Sequence, residues 1–152
     1  MTLTRRAAAR TAAITAVSYS RILGANDRIG LGVIGTGGRG THVMTKFQLF
    51  DDCQVRALCD VYAQRLDEAQ SKAPGTKTFS RHEDLLALKE VDAVLIGTPD
   101  HWHSRIAIDA MNAGKDVYVE KPLCRTRAEA PEMVKAARVN ERICQVGLQQ
   151  RS

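Results

Sequence analysis

A glycine-rich turn is the feature that most restricts how this chain can fold. It follows a short apolar run at residues 29–34, precedes a helical pattern at residues 39–50, and consists of Gly35, Thr36, Gly37, Gly38, Arg39 and Gly40. In a strand–turn–helix unit of this spacing, the first glycine permits the tight turn. The second lets the backbone approach a pyrophosphate, and the third lets the helix pack close to the strand. The helix N-terminus then presents N–H groups and a partial positive charge to the phosphates. All six residues are therefore candidates for binding a dinucleotide.

Downstream of this turn, short apolar runs alternate with helix-like segments. The further strand-like runs are residues 54–59, 77–79, 91–97, 116–119 and 143–146. The further helix-like segments are residues 62–72, a short stretch around Leu85–Leu88, the segment of Ile106–Met111 that stops at Gly114, and residues 127–140. The helical pattern of residues 39–50 rests on the apolar spacing of Val43, Phe47 and Phe50, and residues 127–140 place Met133, Val134 and Ala137 on one apolar face. Strands that alternate with helices predict an α/β fold, with a doubly wound, mostly parallel sheet and helices on both faces. We expect one such domain over residues 29–152.

The acidic residue expected of a dinucleotide site is Asp60. It lies 20 residues after Gly40 and directly follows the second predicted strand. A carboxylate at this point can accept both hydroxyls of the adenosine ribose and repels a 2′-phosphate, so it favours NAD over NADP. Arg39 and Arg65 could each reach a 2′-phosphate, which leaves NADP open. The alternative is an ordinary polar residue at the end of a strand.

Polar residues also follow the fourth strand-like run, at Thr98-Pro99-Asp100-His101-Trp102-His103. Ligands of doubly wound sheets bind outside the carboxyl ends of strands, so these side chains are well placed. Asp100, His101 and His103 are potential metal ligands, but no further ligands occur at a suitable spacing. We therefore predict no metal site, and expect instead that Asp100 or Ser104 caps the following helix.

Glu120-Lys121-Pro122 ends the fifth strand-like run. Proline removes a backbone donor and stops the strand, which places Lys121 at the mouth of the crevice. A lysine there could orient a substrate hydroxyl or, with a lowered pKa, accept its proton. Taken alone, it would be a solvated lysine at the end of a strand.

The net charge of +5 does not indicate a nucleic-acid partner. Residues 1–28 carry +4 of it, and the remaining residues are close to neutral, whereas a nucleic-acid site places its charge on a face of the domain. No apolar run is long enough to span a membrane. The four cysteines show no metal-finger or CxxC spacing, so we expect small buried thiols.

The first 28 residues differ in composition from the rest. Thr4, Arg5 and Arg6 precede a mildly apolar, alanine-rich stretch, which is typical of a twin-arginine export signal. Such a signal predicts a periplasmic protein. Alanines replace the usual Phe-Leu and Arg21 interrupts the stretch, so a frayed or helical extension of a cytoplasmic protein is the alternative.

Four segments together resemble the N-terminal Rossmann domain of the glucose–fructose oxidoreductase/inositol dehydrogenase (Gfo/Idh/MocA) family. They are G-V-I-G-T-G-G-R-G, C-D-V, G-T-P-D-H-W-H and V-E-K-P-L, and the resemblance covers about residues 28–152. The Glu-Lys-Pro segment discriminates this family from other Rossmann enzymes. The resemblance implies NAD or NADP, a sugar or cyclitol substrate, and hydride transfer at a secondary alcohol carbon. The resemblance also implies which residues lie at the cofactor: Thr98, Pro99, His103, Glu120 and Lys121. It further implies that Lys121 is catalytic and that its bond to Pro122 is cis.

The family also has a second domain that supplies most substrate contacts, and we expect that domain to be absent from this chain. Two hypotheses remain. The chain is either the cofactor half of an NAD(P)-dependent sugar or polyol oxidoreductase, or a non-catalytic NAD-binding fragment or subunit that needs a separate substrate domain. A methyltransferase would account for neither Gly40 nor Lys121. An uncovered last strand also predicts weak self-association, and so a homo-oligomer.

Overall fold

The computed structural model describes residues 28–148, in which strands and helices alternate. The strands are β1 (Ile29–Ile34), β2 (Cys53–Cys59), β3 (Lys77–Phe79), β4 (Ala93–Ile96), β5 (Asp116–Glu120) and β6 (Cys144–Gly147). The helices are α1 (Gly38–Phe47), α2 (Ala63–Lys72), α3 (His82–Leu86), α4 (Asp100–Asn112) and α5 (Glu129–Val139). The proposed export signal lies, except for Arg28, outside the described residues.

All six strands belong to one parallel sheet with the order β3-β2-β1-β4-β5-β6. The chain moves outward from β1 to β3, crosses back to β4 beside β1, and moves outward again to β6. The strand order therefore reverses between β1 and β4, which is where doubly wound sheets bind their ligands. The predicted α/β fold is confirmed.

Helices cover both faces of the sheet. Val43 and Met44 of α1 and Ala69 of α2 pack in one apolar cluster, and α3, α4 and α5 pack in the other. We call these sides the α1 face and the α4 face. Strand β4 serves both, because Leu95 belongs to the cluster on the α1 face whereas Val94 and Ile96 belong to the other. A strand buried on both sides has to be apolar throughout, which explains the uninterrupted apolar sequence of Ala93–Ile96.

Two predicted core positions are wrong. Phe50 was expected on the first helix, but α1 ends at Phe47, and Phe50 lies in the following turn with 61% of its surface exposed. Val134 was expected on the buried face of α5, but it is exposed. Met133 and Ala136 define the buried stripe of that helix, and Val134 lies about 100° away from Met133 around its axis.

The predicted cap of α4 is also wrong. The residue before the helix is Pro99, and no side chain caps its N-terminus. Asp100 is already in the first turn, where its charge is favourable to the helix dipole, and Ser104 is buried inside the helix. The helix thus begins too early in the sequence for either side chain to act as a cap.

Candidate dinucleotide-binding site

The glycine-rich turn brings β1, α1 and the end of β4 into backbone contact. Gly35 has φ +87°, a conformation that side chains rarely adopt. A Cβ on Gly40 would overlap the carbonyl oxygen of Gly35, and a Cβ on Gly97 would come within 2.7 Å of Cα of Gly40. Side chains at these three positions would push the helix away from the sheet. The predicted roles of Gly35 and Gly40 in the turn and in packing thus have a steric basis.

The other two glycines of the turn are open. A Cβ on Gly38 would meet no atom within 4 Å, and one on Gly37 would meet only the guanidinium of Arg65, at 3.4 Å from Nη1. No side chain caps α1, and its first turn holds no acidic residue. An anion can therefore approach the backbone here, and the partial positive charge of the helix end favours it.

Asp60 holds the turn against the end of β2. Its Oδ2 accepts a hydrogen bond from the backbone N–H of Thr36 at 2.8 Å and another from Oγ1 of Thr36 at 3.3 Å. Its Oδ1 accepts the N–H of Tyr62 at 3.0 Å. An ionised carboxylate has about four acceptor positions, so about one remains for a ribose hydroxyl in this arrangement. Asp60 is therefore an anchor of the turn as well as the predicted ribose ligand.

A cavity of about 530 Å³ opens beside Asp60, at the carboxyl ends of β1, β2 and β4. This volume lies in the range of small-molecule sites. Several residues that line this cavity were not predicted from the sequence: Tyr62, Ser80, Arg81, His82, Glu83 and Trp102. Residues 80–83 follow β3, so they could have been found by applying the strand-end rule to this short strand as well. Trp102 lies within the motif after the fourth strand, among polar residues that alone suggested a ligand site.

The two arginines near the turn face different surroundings. Nη2 of Arg39 lies 3.0 Å from Oε1 of Glu120, whose side chain is only 4% exposed. The pair joins the glycine-rich turn to the end of β5, and Arg39 does not line the cavity beside Asp60. Arg65 does line that cavity, and its guanidinium stands 5.7 Å from the ring centre of Tyr62. Of the two, Arg65 is therefore the better placed for a 2′-phosphate.

His103 connects the two strand ends that carry Thr98 and Pro122. Its Nδ1 lies 2.7 Å from the carbonyl oxygen of Pro122, and its Nε2 lies 2.8 Å from that of Thr98. The ring is 1% exposed and does not line the open cavity, so in this structure His103 orients the site rather than facing a ligand.

Lys121 is exposed, and the Lys121–Pro122 bond is cis.

The chemistry of the cysteines is consistent with buried, neutral thiols. All four are free, with Cys59 buried and the others half-buried. Burial, together with the smaller effect of the negative charges of Asp60, Glu83 and Asp84, raises the pKa of Cys59 to about 12. Residues 28–148 contain no cluster of three or more histidine, cysteine or acidic side chains that could hold a metal. No helix in this part of the chain has the length and apolarity that a membrane crossing requires.

Residues 29–148 match the sequence model of Gfo/Idh/MocA proteins, described as an oxidoreductase family with an NAD-binding Rossmann fold. The chain belongs to this family. Its resemblance to Gfo/Idh/MocA proteins, inferred above from four short segments, is thereby confirmed, and the domain is an NAD-binding one.

Three known proteins illustrate the similarity. A glycosyl hydrolase family 109 protein of Solibacter usitatus is 35% identical over 130 residues, which is 78% of this chain and 30% of that protein. An NAD-binding protein of Listeria innocua superposes with a TM-score of 0.76 at 32% identity, over 82% of this chain and 36% of the other. The myo-inositol 2-dehydrogenase of Lactobacillus plantarum gives 0.75 at 28% identity, over 82% and 38%. This chain thus spans about a third of the length of these proteins.

The residues of this Gfo/Idh/MocA domain fit a dinucleotide. Gly37 and Gly38 leave room for a pyrophosphate at the start of α1, and the cavity beside Asp60 could take the adenosine. Oγ1 of Thr98 is buried and has no hydrogen-bond partner among the described residues. A buried hydroxyl without a partner is costly, and a ligand at this strand end could satisfy it.

Proposed function

We propose that this domain serves an enzyme that moves a hydride between NAD and a secondary alcohol carbon of a sugar or cyclitol. The observation that carries the proposal is the position of Lys121. It is exposed at the carboxyl end of β5, and its neighbour Glu120 is paired with Arg39 of the glycine-rich turn. Lys121 itself is in no ion pair with another residue of the described part of the chain, so its ammonium group is available to a ligand. The name of the Lactobacillus neighbour, a myo-inositol 2-dehydrogenase, supports a cyclitol or sugar as substrate.

Each part of the site would have a distinct task. The backbone at Gly37 and Gly38 would bind the pyrophosphate, Asp60 the adenosine ribose, and the cavity lined by Tyr62 and Trp102 the adenine. Bound NAD supplies a nicotinamide ring that accepts or returns the hydride. Lys121 would donate a hydrogen bond to the reacting hydroxyl and, when neutral, accept its proton as the hydride leaves the same carbon.

The experiment uses a fusion of residues 1–148 to the remainder of the Solibacter relative. It is incubated with NAD and a panel of sugars and cyclitols, and reduced cofactor is followed by absorbance. Lys121→Ala should lower the turnover rate at least 100-fold, the usual contribution of a general acid or base, with NAD affinity unchanged. Lys121→Arg, which keeps the charge but cannot accept the proton, is the matched control and should also be inactive. Unchanged turnover in Lys121→Ala would overturn the proposal.

A second candidate is glycoside cleavage that requires NAD. It is favoured by the name of the Solibacter relative, a glycosyl hydrolase family 109 protein, and NAD-dependent glycosidases are a known exception to the two-carboxylate mechanism. In that case the same fusion would release nitrophenol from nitrophenyl glycosides in the presence of NAD, with no net accumulation of reduced cofactor. Accumulation of reduced cofactor without glycoside cleavage would favour the oxidoreductase.

A further inference from the structure

The cavity beside Asp60 reaches the segment that follows β3. Strands β1, β2 and β3 are neighbours in the sheet, and the backbone N–H of Asp60 donates to the carbonyl oxygen of Phe79 at 3.2 Å, so the ends of β2 and β3 are adjacent. With the pyrophosphate after β1 and the ribose at Asp60 after β2, the adenine falls next to the segment after β3. His82 and Glu83 of that segment line the cavity.

Asp109 of α4 determines which nitrogen of the His82 ring carries a hydrogen. Nε2 of His82 lies 3.1 Å from Oδ2 of Asp109, and the same oxygen accepts a hydrogen bond from Nε of Arg105 at 2.8 Å. A carboxylate has only acceptors, so Nε2 of His82 is the donor of this bond. In a neutral imidazole the other nitrogen is then an acceptor, which leaves Nδ1 of His82 with a free lone pair. The side chain is only 14% exposed, and its packing keeps the ring in this orientation.

Two hydrogen-bond acceptors therefore lie side by side at the cavity. Nδ1 of His82 is 3.5 Å from Oε2 of Glu83, and with the ring neutral no hydrogen lies between these two atoms. Arg81, which also lines the cavity, has its Nε 3.6 Å from the same oxygen of Glu83, so its charge is already matched. A ligand group with two hydrogens to donate would complement His82 and Glu83, whereas a second acceptor would be repelled.

We propose that His82, oriented by Asp109, recognises the 6-amino group of adenine, so that the domain selects a 6-aminopurine dinucleotide over a 6-oxopurine one. The amino group would donate one hydrogen to Nδ1 of His82 and the other to the carboxylate of Glu83. A 6-oxo group would direct its lone pairs at both acceptors and leave Nδ1 unpaired. His82 is thus a specificity-determining residue and Asp109 a positioning residue. The inference rests on the proposed placement of adenine in this cavity, and it does not depend on hydride transfer.

Calorimetric titration of the 152-residue chain with NAD and with nicotinamide hypoxanthine dinucleotide, its 6-oxo analogue, measures the selection. The titrations are run at about pH 8, where imidazoles are ordinarily neutral. We expect the wild type to bind NAD at least about tenfold more tightly, the usual effect of one hydrogen bond lost to an unpaired acceptor. His82→Phe keeps a planar ring but has no acceptor, and should reduce this ratio to about threefold or less, through weaker binding of NAD. His101→Phe is the matched control, since His101 is half exposed on α4 and does not line the cavity, and it should retain the ratio.

A second pair of variants tests the orientation of the ring. In Asp109→Asn the amide can donate to Nε2 of His82, so Nδ1 is free to carry the hydrogen and to donate to a 6-oxo group instead. The ratio should therefore fall, although Asp109 does not line the cavity. Arg105→Met removes the other hydrogen bond to Asp109 and leaves the one to His82 in place, so it should retain the ratio. A merely structural role of Asp109 would weaken both dinucleotides equally and leave the ratio unchanged.

Trp102 reports independently whether the base enters the cavity. It is the single tryptophan of the chain and lines the cavity, so both dinucleotides should quench its fluorescence. Equal affinities of the wild type for the two dinucleotides, or an unchanged ratio in His82→Phe or in Asp109→Asn, would contradict the selection. Should circular dichroism show that His82→Phe does not fold, the comparison of Asp109→Asn with Arg105→Met decides.

Calorimetric binding of NAD without a change in Trp102 fluorescence would also reject the selection, because the adenine would then lie outside the cavity. None of these results bears on turnover by the fusion that tests Lys121. The failure of base selection and the failure of hydride transfer are therefore distinguishable.

Discussion

Asp60 serves two partners with one carboxylate. The sequence predicted a ribose ligand from its distance to Gly40, but could not show that the same group accepts the backbone N–H of Thr36, because that contact depends on how the turn folds back on β2. The hydrogen bonds of His103 also differ from what the sequence suggested. The resemblance placed it at the cofactor, and the structure shows its ring between the carbonyl groups of Thr98 and Pro122. Motif spacing locates such residues, whereas their hydrogen bonds require the fold.

The double role of Asp60 predicts a loss of cofactor affinity on substitution. We expect the domain to bind NAD more tightly than NADP, and Asp60→Ala to weaken NAD binding at least tenfold, about 1.4 kcal/mol, because both the ribose acceptor and the anchor of the turn are lost. Asp60→Asn, which keeps the size of the side chain, is the matched control and should lose less. Calorimetric titration of both cofactors measures this. Tighter NADP binding by the wild type, or unchanged NAD affinity in Asp60→Ala, would contradict it.

The thiol of Cys59 should be inert in the folded protein. Burial, assisted by the charge of Asp60, raises its pKa from the ordinary 9.0 to about 12, and only the thiolate is a good nucleophile. We expect iodoacetamide at about pH 9 to leave Cys59 unmodified in native protein and to alkylate it in urea, as measured by mass spectrometry of the peptides. Because the folded pKa is the higher one, the stabilisation that Cys59 contributes is present below pH 9 and is lost as the pH rises towards 12. Rapid alkylation of the native protein would disprove this.

At the scale of elements, the sequence predicted every strand and helix to within a few residues. Short β-branched runs bounded by glycine are distinctive, and β1 and β3 were placed at their observed bounds. The errors fall at helix ends and on helix faces. Phe50 and Val134 carry apolar side chains that the fold leaves exposed, and local periodicity does not show which side of a helix packs on the sheet. The start of α4 was predicted from a cap at Asp100 or Ser104, whereas the helix begins at Asp100 itself, after Pro99 and without a side-chain cap.

Lys115 is a structural link between elements that no sequence pattern indicated. It lies just before β5, is buried, and its Nζ donates hydrogen bonds to the carbonyl oxygens of Leu88 at 2.8 Å and Val91 at 2.7 Å. Lys115→Met should lower the free energy of unfolding by about 2–4 kcal/mol, because two buried carbonyl groups lose a charged donor. The exposed Lys89→Met is the control and should be within about 0.5 kcal/mol of wild type. Urea denaturation measures both, and equal effects of the two changes would refute the role.

At the scale of the whole molecule, residues 28–148 form one six-stranded parallel sheet that carries the candidate cofactor site. The cofactor elements lie together at the carboxyl ends of the strands, and Lys121 is exposed. The sequence resemblance implies a second domain for substrate contacts, which stays a prediction. The chain covers about a third of the length of the three compared proteins.

The 152-residue chain by itself should bind NAD without reducing it with any sugar or cyclitol. Hydride transfer needs the substrate carbon about 3–3.5 Å from the nicotinamide, and loss of that orientation can cost about 7–11 kcal/mol of barrier lowering. Incubation of the purified chain with NAD and the substrate panel, followed by absorbance, measures this. Robust reduction that disappears in Lys121→Ala would show that the chain is a complete enzyme, as an oligomer or otherwise.

The N-terminal segment should direct export, if Arg5 and Arg6 belong to a twin-arginine signal. This route carries folded proteins, which suits a domain that has to bind its cofactor before crossing the membrane. We expect residues 1–28 to export a reporter that is active only outside the cytoplasm, and the double change Arg5→Lys with Arg6→Lys to abolish its activity. Activity that persists in the double variant, or no activity with the native segment, would exclude the signal.

The contact between Gly35, Gly40 and Gly97 has a consequence for how this chain can vary. Elsewhere in the core, an enlarged side chain can be accommodated if a neighbour becomes smaller. Here the nearest opposing atoms belong to the backbone, which every residue type has: the nitrogen of Thr98 opposite Gly35, the carbonyl oxygen of Gly35 opposite Gly40, and Cα of Gly40 opposite Gly97. No second substitution can make room, so damage at any of the three positions has no local suppressor, and a screen for compensating mutations should recover only reversion to glycine at the damaged position.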